Sequence, residues 1–155
     1  MRLQLTKRTD YAIRACVHLA VEGRCPISSR MIAEDMAIPT GFLPQVMADL
    51  ARAGIVGAVA GKHGGYCLSR PPGEVSLLDV VRATETAPRR ERCVMRDAPC
   101  DADPACALHP VLGAAESSYT GVLDRTSLAD LAAQQRAARQ QFGHHRPERT
   151  ERPSE

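Results

Sequence analysis

Leu43, Val46, Met47, Leu50 and Ala51 recur at i, i+3, i+4, i+7 and i+8, and Gly54 stands just past the run. That period puts one apolar stripe on a helix, and the glycine stops it. Pro44 lacks the N–H that a helix interior needs, so the helix starts at about Gly41 or Phe42. A shorter helix precedes it. Ser28 or Ser29 stands at its cap, and Ile32, Ala33 and Met36 face inward. Ala37-Ile38-Pro39-Thr40-Gly41 reads as the tight turn between them. Two helices joined this way form the helix-turn-helix pattern.

Two strand-like runs follow at once, Ile55–Val59 and Tyr66–Ser69. Between them lie Gly61, Lys62, His63, Gly64 and Gly65. The glycines permit positive φ and close backbone approach, so the tip is a flexible, basic hairpin. A helix-turn-helix followed by such a ribbon is a winged helix, with Lys62 and His63 placed to meet DNA. Charge agrees with this. Residues 1–70 carry nine Lys and Arg against five Asp and Glu, whereas residues 71–155 carry eleven against thirteen. The basic half is the one with the winged helix, which favours an anionic partner there.

The remaining elements are helical. Leu5 to Val21 forms a first helix with Ala12, Ala15, Cys16, Leu19 and Ala20 on one face and Lys7, Arg8 and Arg14 off it. The chain has no Trp, three Tyr and two Phe, so its core must be aliphatic, and its alanine content leans towards helix. Ser76-x-x-Asp79 is a capping box for a short helix with Leu77, Leu78, Val80 and Val81. After His109 and Pro110 a long helix begins. Its Leu112, Ala115, Tyr119 and Val122 are spaced 3, 4, 3, a heptad-like seam that Val111 and Leu123 widen. Such a helix suits dimerisation. Ser127-x-x-Asp130 caps a last helix carrying Leu128 and Leu131. The polar tail from Gly143 is expected to be disordered, and its His144 and His145 are not ligands. The expected fold is thus mainly α, a winged helix-turn-helix with a two-stranded wing and a long C-terminal dimerisation helix. The expected divisions are residues 1–84 for DNA binding, 85–109 for a loop, 110–142 for dimerisation helices and 143–155 for the tail.

The loop carries three of the six cysteines, Cys93, Cys100 and Cys106, with His109 behind them in C-x6-C-x5-C-x2-H spacing. The residues between are Asp, Pro, Ala and Arg, which have little to bury. Three thiols so close suit a soft metal, zinc or an iron–sulfur cluster. Three thiolates also leave one position for a weaker ligand, which fits a sensor better than an electron carrier. A structural Cys3His zinc site is the alternative. Cys16, Cys25 and Cys67 read as small buried hydrophobes. No apolar run approaches a membrane span and no secretory leader is visible, so a cytoplasmic protein is expected. There is no C-x-x-C, no Gly-rich nucleotide loop before a helix and no acid–base constellation. An enzyme is not expected, and no catalytic residue is assigned.

These parts occur in a telling order. Thr9-Asp10-Tyr11 sits on a basic first helix, and the helix-turn-helix follows. A wing ending Gly64-Gly65-Tyr66, a Leu-Leu-Asp-Val-Val helix, the three-cysteine loop and a long helical region reaching Leu-Ala-Asp-Leu complete it. Over residues 1 to about 133 the chain resembles the winged-helix iron–sulfur transcriptional regulators that include the nitric-oxide sensor NsrR and the cluster-biogenesis regulator IscR. The resemblance implies a homodimeric repressor on palindromic double-stranded DNA. A 2Fe–2S or 4Fe–4S cluster would set operator affinity in response to nitric oxide or oxidant, or else report cluster supply as IscR-like members do. By position it implies Cys93, Cys100 and Cys106 as cluster ligands. The fourth ligand is implied as His109, matching IscR-like members, or as Asp10 from the partner subunit, matching NsrR-like ones. Thr40, Gly41, Phe42 and Gln45 match the start of the recognition helix, and Lys62 and His63 the wing tip. Lys7, Arg8 and Ser29 complete the expected DNA contacts. Three departures bear on the operator sequence or the loop. The first cysteine gap has six residues where relatives usually have four or five, Ala60 replaces a wing arginine of IscR-like members, and Pro44 replaces a polar residue.

Overall fold

The computed structural model describes residues 5–85 and 107–142. In chain order they form α1 (Lys7–Glu22), α2 (Ser29–Asp35), α3 (Leu43–Arg52), β1 (Val56–Val59), β2 (Gly65–Leu68), α4 (Leu77–Thr84), α5 (His109–Arg125) and α6 (Leu128–Phe142). A single 3-10 turn, Pro72–Glu74, leads into α4. The expected tail lies outside the described residues.

Helix starts follow local chemistry. Thr6 caps α1 by accepting from the Thr9 amide, and Ser28 caps α2 by accepting from Met31. Ser76 and Asp79 form the reciprocal capping box expected for α4. Ser127 and Asp130 repeat that exchange at α6, with Asp130 accepting from the Ser127 amide at 3.0 Å and Ser127 Oγ from the Asp130 amide at 3.1 Å. Each such cap supplies about 1 kcal/mol. At α3 no side chain caps the helix. Pro44 occupies its first turn, where a missing N–H costs nothing.

β1 and β2 are antiparallel, pairing Val56 with Leu68 and Val59 with Gly65. The segment before α2 adds a bridge on the other edge of β2. Ile27 N donates to Tyr66 O at 3.0 Å, and Tyr66 N to Ile27 O at 2.8 Å. The wing is therefore tied to the residues that lead into the helix-turn-helix.

α1 is the central element, packing against α3, α4 and α6. Leu43, Val46, Met47 and Leu50 of α3 are buried with Ala12, Ala15, Cys16 and Leu19 of α1, Ile32 of α2 and Ile55. Each large apolar side chain so buried contributes about 1.5–3 kcal/mol. Two expectations change here. Ala51, counted in the apolar stripe, is exposed, while Asp49 is buried beside Leu50. Asp49 is admitted because Arg8 of α1 and Arg52 both pair with its carboxylate, which removes the penalty of an unpaired buried charge. Cys25 and Cys67 are not buried hydrophobes. Cys25 is exposed, Cys67 is half-buried, and the two form a disulfide with Cα atoms 5.2 Å apart. Cys16 is buried as expected.

The last two helices differ in role. α6 packs on α1 of its own chain, with Leu128 and Ala132 in the main core. Arg136 fastens it. Its guanidinium donates to Ala20 O at 2.7 Å and to Val21 O at 2.8 and 3.1 Å, satisfying carbonyls at the end of α1. α5 buries only Leu123. That residue meets Leu78 and Val81 of α4, with Tyr119 packed alongside. Val111, Leu112 and Val122 remain 62%, 44% and 56% exposed. The grouping of 110–142 as dimerisation helices thus joins one helix that belongs to the core with one whose apolar side is largely open.

Candidate nucleic-acid interface and metal-ligand positions

The α2–α3 turn and the wing present most of the expected DNA-contact residues. Ser29 opens α2, and Thr40, Gly41, Phe42 and Gln45 surround the start of α3; all five are exposed. The Phe42 ring stands 5.9 Å from that of Tyr11, tilted by 56°. Arg14 lies over Tyr11 at 5.8 Å from its centroid. An aromatic ring 53% exposed at the head of α3 is held by α1 rather than left loose. Lys62 and His63 are exposed at the wing tip, where Gly61 adopts φ 111° and accepts at its carbonyl from Gly64 N at 2.9 Å. Gly65 is required by closeness. A Cβ there would collide with the Ile27 carbonyl and sit 2.9 Å from Ser28 N. Lys7 is exposed at the first position of α1. Arg8 differs: its guanidinium is engaged with Asp49, bracing α3 against α1.

Of the expected metal ligands, Cys93, Cys100 and Cys106 lie outside the described residues. His109 is exposed as the first residue of α5. Asp10 is in the first turn of α1, paired with Arg14 at 2.6 Å. Among the described residues no three His, Cys, Asp or Glu side chains converge on a metal-sized site. The residues that flank the cysteine segment are described. Glu85, the last described residue before it, accepts from the hydroxyl of Thr9 at 2.9 Å and from Thr6 N at 3.2 Å. The Thr84 hydroxyl lies 3.0 Å from that of Thr9, which is fully buried. The segment thus departs beside the first turn of α1, one residue from Asp10. It ends just ahead of His109. A donor set of three thiols with either a carboxylate or an imidazole suits a soft ion or an iron–sulfur cluster.

Three features here carried no signal in sequence. Cys25 and Cys67 are 42 residues apart, and nothing local pairs them. The Thr6–Thr9–Glu85 network joins residues far apart in the chain. His18 is buried, with no hydrogen-bond partner among the described residues and the Asp35 carboxylate 3.6 Å away. Burial holds its pKa below the ordinary histidine value, against the opposing pull of Glu22 and Asp35. It lines a cavity of about 620 Å³ between α1 and α6 together with Val17, Met36, Leu131 and Arg139. The Cys16 thiol is pushed up to about 12 by burial, so it stays protonated and inert.

No described helix is long and apolar enough to cross a membrane. Residues 5–134 match the family model Rrf2, described as an iron-dependent transcriptional regulator. An HTH-type transcriptional regulator NsrR of Shouchella clausii (strain KSM-K16) is 32% identical over 131 residues, covering 83% of this chain and 88% of the relative. Among solved structures, T. potens IscR superposes with a TM-score of 0.74 at 28% identity, over 88% of this chain and 90% of that one. CymR, described as the global cysteine regulator of B. subtilis, gives 0.72 at 28% identity over 86% and 98%. With a winged helix whose α3 head and wing tip stand exposed, and a family match spanning nearly all the described residues, the chain belongs to the Rrf2 family of DNA-binding transcriptional regulators and is not an enzyme.

Proposed function

We propose that this regulator binds a palindromic double-stranded operator as a homodimer and represses from it. In this reading Cys93, Cys100 and Cys106 hold an iron–sulfur cluster. The observation that carries it is the three-cysteine segment inserted between the winged helix and α5, with its start anchored on α1 through Glu85 and Thr9. When bound, the cluster supplies a group that reacts with nitric oxide and oxidants. The chain's own part is to hold it beside α1 and to pass a change in the segment to α1 and α5. Thr40, Gly41, Phe42 and Gln45 would approach base edges, Lys62 and His63 the flanking backbone, and Lys7 and Ser29 phosphates. Arg8 would act mainly by holding α3 through Asp49.

The open side of α5 supports the dimer. Val111, Leu112 and Val122 form an apolar surface that a second copy of the helix would cover. Nitric oxide is the favoured signal because of Thr9-Asp10-Tyr11 and the NsrR relative. The cytoplasm is the expected compartment, since clustered thiols stay reduced there. For the fourth ligand, His109 follows Cys106 closely in the chain. Asp10 would first have to leave Arg14.

Anaerobic purification with an absorbance spectrum and iron and sulfide analysis tests the cluster. A brown protein with acid-labile sulfide is expected, colourless on Cys93→Ala, Cys100→Ala or Cys106→Ala and unchanged on Cys16→Ala. Colourless protein with stoichiometric zinc sinks the reading. Spectra of His109→Ala and Asp10→Ala identify the fourth ligand. Val122→Asp is expected to yield monomers in sedimentation, and a persistent dimer would move the interface off α5.

A further inference from the structure

The disulfide between Cys25 and Cys67 lies outside the cysteine segment, and neither cysteine is among the buried core residues. Cys25 is exposed in the short connection between α1 and α2, and Cys67 is half-buried in β2. The bond spans the two parts that would touch DNA. Three residues beyond Cys25 is Ser28, the cap of α2. β2, which holds Cys67, forms one side of the wing whose tip carries Lys62 and His63. Among the described residues the backbone link between these parts is the Ile27–Tyr66 pair of hydrogen bonds, and Tyr66 and Leu68 of β2 also pack against the main core. With the disulfide closed, a covalent link next to that bridge in the chain adds to the restraint on the wing. With it open, the bridge and the packing of Tyr66 and Leu68 against the core remain, and the wing loses its covalent restraint to the lead of α2.

We propose that Cys25 and Cys67 are a reversible dithiol–disulfide site that sets how rigidly the wing is held to the helix-turn-helix, and thereby operator affinity. The chemistry is exchange with a low-molecular-weight disulfide such as oxidised glutathione. The exposed Cys25 thiolate attacks one sulfur of the small disulfide, forming a mixed disulfide and releasing one small thiolate. The Cys67 thiolate then attacks Cys25 Sγ, closing the protein bond and releasing the second small thiolate. The two protons lost by the protein thiols go to the two released thiolates. The protein loses two electrons and the small disulfide gains them. Cα atoms 5.2 Å apart lie within the range a disulfide spans, so closure needs no backbone rearrangement. A buried thiol cannot take part, and Cys16 is fully buried. Preorganising the wing removes an ordering cost from binding, so the oxidised form should bind DNA about three to ten times more tightly.

The readout rests on the DNA-binding role, so thiols and DNA are measured separately. Full-length protein purified anaerobically is equilibrated in glutathione buffers of graded redox poise. Differential alkylation and mass spectrometry of non-reduced peptides report the pairing. Fluorescence anisotropy against a duplex selected from a random-sequence pool reports affinity. The expected results are a linked Cys25–Cys67 peptide at oxidising poise and a fold change of about three to ten in Kd between the two ends. The change should disappear in Cys25→Ser and Cys67→Ser and persist in Cys16→Ser. Failure to find the linked peptide at any poise overturns the site. A linked peptide with equal affinities in both states overturns the switch alone. A Kd change that survives Cys25→Ser also overturns it, because the responsible thiols are then elsewhere. Absence of binding to any selected duplex in either state overturns the switch together with the DNA-binding role.

Discussion

Replacing Gly65 by alanine perturbs the joint between wing and helix-turn-helix at one methyl group. The added Cβ would collide with the Ile27 carbonyl and stand 2.9 Å from Ser28 N, and both neighbours are backbone. No rotamer change relieves this, so the segment before α2 has to retreat from β2. Retreat breaks the two hydrogen bonds between Ile27 and Tyr66, each worth about 1 kcal/mol net. It also draws Ile27, 1% exposed, partly out of the core, adding up to about 1 kcal/mol. Loss of glycine's freedom in the unfolded chain returns about 0.4–1 kcal/mol. The net cost is about 2 kcal/mol. Urea unfolding followed by far-UV circular dichroism, in reductant so that Cys25 and Cys67 do not hold the segments together, should show a midpoint lower by about 1 M. Gly113→Ala is the control. It lies within α5 with open space around its Cβ position, so it should be neutral or stabilising by up to about 1 kcal/mol. A Gly65→Ala protein as stable as the parent would mean that the Ile27 segment does not lie against β2, and the close-approach argument would fail.

Three further outcomes are expected. Stability should be highest between about pH 6.5 and 9. His18 has its folded pKa lowered from 6.5 by burial, so the unfolded chain takes up the proton first and stability is lost as pH falls below that value. Cys16 is raised from 9.0 to about 12, so its contribution is complete below pH 9 and is lost as pH rises towards 12, on the order of 4 kcal/mol in all. Urea midpoints across pH 5–10.5 should show both arms, with His18→Gln removing the acid arm and Cys16→Ala the alkaline one; arms that persist in these variants belong to other groups. Arg136→Ala leaves the Ala20 and Val21 carbonyls without their guanidinium donor and should cost about 1–2 kcal/mol. Hydrogen exchange should quicken in α6 ahead of α3, and uniform exchange would argue against a latch. Lys62→Ala should lower the slope of log K against log salt by about one unit if the wing tip neutralises one phosphate, and an unchanged slope and affinity would leave Lys62 as a solvated turn residue.

Much of the fold is legible in the chain because it is decided within a few residues. The Ser76–Asp79 and Ser127–Asp130 exchanges involve groups three positions apart, and the Leu43 to Leu50 stripe follows from helical period alone. The wing was readable from two apolar runs around a glycine-rich tip. Such features depend on local geometry, which sequence spacing encodes. The residues proposed to contact DNA and the three clustered cysteines are likewise residue types at short spacing, which is why the sequence offers them as candidates.

Only the tertiary structure decided what meets across long separations. Asp49 lies inside because Arg8 reaches it from α1, and no pattern within α3 announces a partner 41 residues away. Cys25 and Cys67 look like isolated small hydrophobes until the Ile27–Tyr66 bridge lays one segment beside the other. Gly65 reads in sequence as a turn residue, yet it is needed because another backbone passes its α-carbon. α6 shows the same limit, since its apolar residues fit a dimer or its own core equally well by period. Arg136 on the carbonyls of α1 and Leu128 in the main core place it on its own chain, and α5 is left as the open helix. The physical reason is common to all four. Period and capping are set by the chain's own covalent geometry, whereas burial and pairing depend on which distant surface the chain has already folded against.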